Sequence, residues 1–127
     1  MKIEKEKEIE KEKKKIMTIL KRKMGFVPKP LEDMSNLNMD MLKRYLEEKQ
    51  IAYSGTNLDN KTQVFIALAV GIALDSPGCI MSGLNFAKKY GATVEEIMEL
   101  YSVVKFSKAS SSISSFANAM ECLLENE

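Results

Sequence analysis

The residues best suited to chemistry in this chain are its two cysteines, Cys79 and Cys122. Cys79 follows Ser76-Pro77-Gly78, a turn that opens a helix. Serine is placed to cap it, and proline suits the first helical position. There the free N–H groups and the helix dipole favour a thiolate, the form in which cysteine is a nucleophile. The same spacing has a plainer reading: Ser76 caps the Cys79 amide, and the thiol is a small packed group. Cys122, between Glu121 and Leu123, reads as packing. Ser76, Asp75, Ser82 and Asn85 lie near Cys79 in sequence, but none is a good base at neutral pH.

Composition narrows the chemistry further. The chain of 127 residues contains no histidine. That excludes Ser-His-Asp triads, Cys-His pairs and imidazole metal ligands, and two cysteines cannot build a Cys₄ zinc site. No metal or cofactor is implied. Arg22 and Arg44 are the only arginines, so an anionic substrate has few bidentate anchors. A net charge of +1 argues against a nucleic-acid footprint. The Lys- and Glu-rich start lacks the apolar core of a signal peptide. The longest apolar run, Val64–Leu74, is too short to span a bilayer. A cytoplasmic protein with no membrane association is expected.

The elements that must position Cys79 read as helices. Residues 1–23 form a charged arm with ten Lys/Arg and five Glu. Its alternating signs suit a solvated, partly frayed helix better than a basic nucleic-acid arm. Glu10–Lys13, Glu10–Lys14 and Glu12–Lys15 are favourable pairs along it. Ile3, Ile9, Ile16, Ile19 and Leu20 form a thin apolar stripe, of which only Ile16–Met24 looks ready to dock. Gly25 and the prolines at 28 and 30 end this helix. Residues 24–127 then read as one helical domain. A short piece covers Pro30–Ser35, and a further helix opens at Asn38 or Asp40. Asp59 caps a helix to about Leu74 that is apolar all round from Val64 and should be central and buried. Ser76 opens a helix carrying Ile80, Leu84 and Ala87 on one face and closed by Gly91. Thr93-Val-Glu-Glu96 has capping-box spacing. The last helix follows a serine-rich stretch and gathers Ile113, Phe116, Ala117, Met120 and Leu124 on one side. No strand pattern is present, so the fold class is all-α with six or seven helices.

Several of these segments together resemble a known family. Gly25-Phe-Val-Pro28, Leu58-Asp-Asn-Lys-Thr62 leading into Ile66–Val70, Ser76-Pro-Gly-Cys-Ile80 and Tyr90-Gly-Ala-Thr-Val-Glu-Glu-Ile97 are similar to the carboxymuconolactone decarboxylase / alkylhydroperoxidase D family. The likeness runs over about residues 16–106. It implies an all-helical fold built on an αα-hairpin, with the active cysteine at the start of the second helix. It also implies a homo-oligomer, commonly a trimer or hexamer. Peroxidase-type members carry a Glu, a Cys-x-x-Cys pair and a His. The second cysteine attacks peroxide, the first resolves the sulfenic acid, and Glu and His relay the proton. Carried onto this chain, the Glu position is Val64, the resolving cysteine is Ser76, the attacking cysteine is Cys79, and the His position is Gly83. Three of the four are replaced.

Two functions are therefore expected from different classes. One is single-cysteine, peroxidase-like redox chemistry at Cys79, with the sulfenic acid resolved by an external thiol or by a cysteine of another subunit such as Cys122. The other is a non-catalytic oligomeric binding or structural module. Nine methionines, among them Met81, Met98 and Met120, would then supply adaptable apolar surface. A lactone- or carboxylate-processing enzyme is a third and weaker expectation.

Overall fold

Helix α1 spans Lys2–Met24 in the computed structural model, which describes residues 1–126. Lysine and glutamate are good helix formers, and the first turns run exposed with no apolar contact to keep them down. Ile3 and Ile9 remain 67% and 52% exposed, whereas Leu20 and Met24 are buried. Glu12 pairs with Lys43 at 2.9 Å rather than with Lys15, and Lys13 donates to Asn36, so charged residues from mid-helix onward cross to the body. Gly25 ends α1 in the left-handed region (φ 84°), with its N–H donating to the Lys21 carbonyl at 3.0 Å.

Helix α2 (Lys29–Leu37) runs one residue before and two beyond the expected Pro30–Ser35, with Pro30 in its first turn. Helix α3 (Met39–Ala52) follows at once. Asn38 caps it, accepting from the Met41 N–H at 3.0 Å. Leu20, Met24, Leu31 and Leu42 close a first core between α1, α2 and α3. Leu42 is fully buried, and truncating it to alanine would cost about 2–5 kcal/mol.

Helices α4 (Asn60–Ala73) and α5 (Pro77–Lys89) form the antiparallel hairpin. Asp59 caps α4, accepting from the Thr62 N–H at 2.7 Å. Val64, Leu68 and Ala87 form a second core, and Phe86 packs against both cores and joins them. Gly91 (φ 80°) closes α5. Helix α6 (Val94–Ser115) begins at Thr93, whose hydroxyl accepts from the Glu96 N–H at 3.1 Å. The Glu96 carboxylate does not reach back to complete a capping box. It accepts instead from Lys61 at 2.8 Å and ties α6 to α4. Helix α7 (Ala117–Glu125) ends the described chain.

Two expectations change. The serine-rich stretch does not precede the last helix but lies inside α6. The Ser107, Ser111, Ser112 and Ser115 hydroxyls donate back to carbonyls three or four residues earlier, and Phe116 marks the break. Ile113 thus belongs to α6, and the face it was expected to share with Phe116, Met120 and Leu124 is open, those residues being 38–72% exposed. Helix α4, secondly, is not buried all round. α5 and α6 cover one side, where Val64, Leu68 and Gly71 are buried, while Ile66 and Val70 are half exposed on the other. Among the described residues, no element covers that side.

Candidate functional site

The α4–α5 hairpin places Cys79 at the third position of α5, and the cysteine is exposed and free. The two helices nearly touch there. A Cβ built on Gly71 of α4 would lie 3.1 Å from the Cys79 Cβ and 3.2 Å from its carbonyl carbon. Only glycine at 71 permits this approach without displacement. The corner is closed by the Ser76 N–H donating to the Gly71 carbonyl at 3.0 Å, and by Asp75 in the left-handed region at φ 52°.

Ser76 stands at the N-cap position, but its hydroxyl makes no capping bond to the Cys79 amide, contrary to the plainer sequence reading. The α4–α5 corner holds it at φ −102° and ψ 99°, and ψ alone does not account for the missing bond, since Asn38 caps α3 at ψ 95°. With Pro77 lacking an N–H, the first turn of α5 keeps its Gly78 and Cys79 amides free of side-chain capping.

The other polar neighbours are engaged elsewhere. Asn85 Nδ2 donates to the Met24 carbonyl at 2.7 Å, securing the end of α1. Asp75 pairs with Lys108 of α6 at 2.9 Å. Ser82 donates to the Cys79 backbone carbonyl at 3.3 Å. None of these three bonds involves the thiol.

Val64 is buried in the second core. Gly83 is buried and backs directly onto α4, where an added Cβ would lie 3.0 Å from the Leu68 Cα and 3.2 Å from its Cβ. A side chain at 83 therefore requires the hairpin to separate. Cys122 lies exposed on α7. Among the described residues, no cluster of three His, Cys, Asp or Glu could hold a metal ion. None of the described helices is long and apolar enough to cross a membrane.

Tyr45 and Lys49 of α3, with Tyr53 at its C-cap, bear on the surroundings of Cys79. Tyr45, Lys49 and Tyr53 recur at every fourth residue, on one helix face. The phenols of Tyr45 and Tyr53 are pushed up, chiefly by burial and then by the charge of an ionised Cys79. Burial lowers the Lys49 ammonium first, and Lys23 lowers it further, while the Cys79 charge opposes both. The Lys49 Nζ also sits 5.1 Å from the Phe86 ring centroid. The i, i+4, i+8 spacing was the available signal, but nothing local links it to a residue some thirty positions later.

Lys49, Tyr53, Val64 and Phe86 also line a cavity of about 580 Å³ between α1, α3, α4 and α5. Cys79 does not line it.

A comparison with family models matches residues 40–121 to the carboxymuconolactone decarboxylase family, from the first turn of α3 into α7. The chain belongs to the carboxymuconolactone decarboxylase family. No curated protein matches the sequence. The matched region of this family member contains the hairpin, Cys79, Tyr45, Lys49, Tyr53 and both Gly–helix contacts. It begins later and ends later than the resemblance over about residues 16–106. Helices α1 and α2 lie outside it.

Proposed function

We propose that this carboxymuconolactone decarboxylase family member is a single-cysteine thiol oxidoreductase that reduces hydroperoxides through Cys79. The observation that carries the reading is the exposed, free Cys79 thiol in the first turn of α5. An exposed thiol is open both to a peroxide and to an external thiol. In the reaction the thiolate attacks the terminal peroxide oxygen and the O–O bond breaks. The alcohol leaves after taking a proton from solvent, and Cys79 becomes a sulfenic acid. One external thiol condenses with it, releasing water and forming a mixed disulfide. A second external thiol displaces Cys79, restoring it and carrying away the disulfide. Ser76 cannot resolve the intermediate, so the external donor is required, which suits a reducing cytoplasm.

Hydroperoxide consumption with dithiothreitol tests the proposal. Wild type and Cys122→Ser should turn over, and Cys79→Ser should fall to the uncatalysed rate. Equal rates for wild type and Cys79→Ser would sink it.

A homo-oligomer is proposed alongside, on a separate observation. Ile66 and Val70 on α4, Val103 and Phe106 on α6, and Leu123 and Leu124 on α7 are 49–72% exposed. Apolar faces of this extent on several helices are what a self-associating chain presents.

A further inference from the structure

The cavity between α1, α3, α4 and α5 has a composition that the Cys79 reaction does not use. Its volume of about 580 Å³ falls within the range of small-molecule sites, roughly 300–1,000 Å³. Leu20, Leu46, Val64 and Phe86 supply apolar wall. Among the described residues, the charged ones lining it are Lys23 and Lys49, and no carboxylate does. Neither lysine forms an ion pair among the described residues. Lys49 is half-buried and held in ammonium-disfavouring surroundings by burial and by the like charge of Lys23. Two cations lining one cavity with no carboxylate in its wall leave electrostatic repulsion that a bound anion would relieve. Tyr53, Gln63 and Tyr90 line it as well and add hydrogen-bond donors.

We infer that this cavity binds one small amphipathic organic anion, its apolar body against Leu46 and Phe86 and its carboxylate or sulfonate against Lys49 and Lys23. An inorganic anion leaves the apolar walls unused, and a neutral apolar molecule leaves both ammonium groups unpaired. The ligand need not react, since Cys79 is outside the lining, and the inference does not rest on the proposed redox activity.

Fluorescence titration of the full chain with 1-anilinonaphthalene-8-sulfonate, and with N-phenyl-1-naphthylamine as the same ring system without the anion, tests it. Wild type should bind the sulfonate at one site per chain, and decanoate, but not decanol, should displace it. Lys49→Gln and Lys23→Gln should each weaken sulfonate binding, by about tenfold for Lys49, the value of one charge-assisted contact, with the neutral probe unchanged. Lys49→Arg should restore binding. Circular dichroism and thermal melting establish that each variant is folded before titration. Equal weakening of both probes would overturn the inference, as would sulfonate binding indifferent to both lysines or to decanoate. Indifference would place the probe on the open apolar faces instead.

Discussion

Asn85 on α5 donates to the backbone carbonyl of Met24 at 2.7 Å, so a side chain of the hairpin satisfies a carbonyl at the end of α1. The bond spans two parts of the chain that share little sequence logic. It anchors the charged helix at the place where Gly25 turns left-handed. A Cβ on Gly25 would strike the Asn85 amide nitrogen at 2.4 Å. The carbonyl, the glycine and the asparagine thus act as one joint.

Removing the donor leaves the Met24 carbonyl without that partner, so Asn85→Ala should destabilise by about 1–2 kcal/mol in urea denaturation. Gly25→Ala should cost about 1 kcal/mol for the left-handed backbone plus the clash with Asn85. In the Asn85→Ala background the clash is gone and only the backbone cost remains. The double mutant should therefore be less destabilised than the two single effects added together, and strict additivity would show that the joint does not exist.

Gly83 and Gly78 sit on the same helix and should respond in opposite directions. At Gly83 the new Cβ meets the Leu68 backbone at 3.0 Å, so Gly83→Ala should lose about 1–3 kcal/mol despite the better helix propensity of alanine. Gly78 has nothing within 4 Å of its added Cβ. Gly78→Ala should be neutral or gain up to about 1 kcal/mol. Thermal melts of the pair measure the sign directly. The same contact predicts that Gly83→His will not raise hydroperoxide turnover, because the imidazole has no room unless α4 and α5 part.

Asp59 gives the fold an acid-sensitive end. Hydrogen bonds from Thr62, its side chain first and then its backbone N–H, hold the Asp59 carboxyl below its ordinary 3.8. A carboxyl depressed in the folded state adds stability that is complete above pH 3.8 and is lost as pH falls through the folded value. Asn caps comparably but does not titrate. Asp59→Asn should therefore leave the urea midpoint near neutrality almost unchanged and flatten its fall below pH 3.8. A parallel fall in both proteins would assign the acid limb to other carboxylates.

The parts of this fold that were legible in the sequence are those set within a few residues. Asp59 and Thr93 cap their helices because a cap bond closes over three positions. Ser76 is also a cap-type residue just before its helix, yet its hydroxyl makes no cap bond, and no local pattern records that. The hairpin and its cysteine were visible through the family's motifs. The tyrosine–lysine–tyrosine face of α3 was not, because its meaning depends on a chain crossing of some thirty residues. Gly83 stands where the family's motif has its histidine. The Leu68 backbone packed against it shows that the space for a side chain is lost too.

Helix α4 is where sequence and structure together point past one chain. Its composition demands burial all round, yet Ile66 and Val70, one turn apart, are 49% and 50% exposed. Phe106 on α6 is 72% exposed. If second copies of the chain cover these residues, charge placed there breaks the assembly without unfolding the chain, since each is outside the intrachain core. Ile66→Glu with Val70→Glu should shift the mass by light scattering from a multiple of the chain to one chain, with helical circular dichroism retained. Phe106→Glu reports whether α6 shares the interface, by the same shift. A wild type that already runs as one chain would refute the covering of α4 by a second copy.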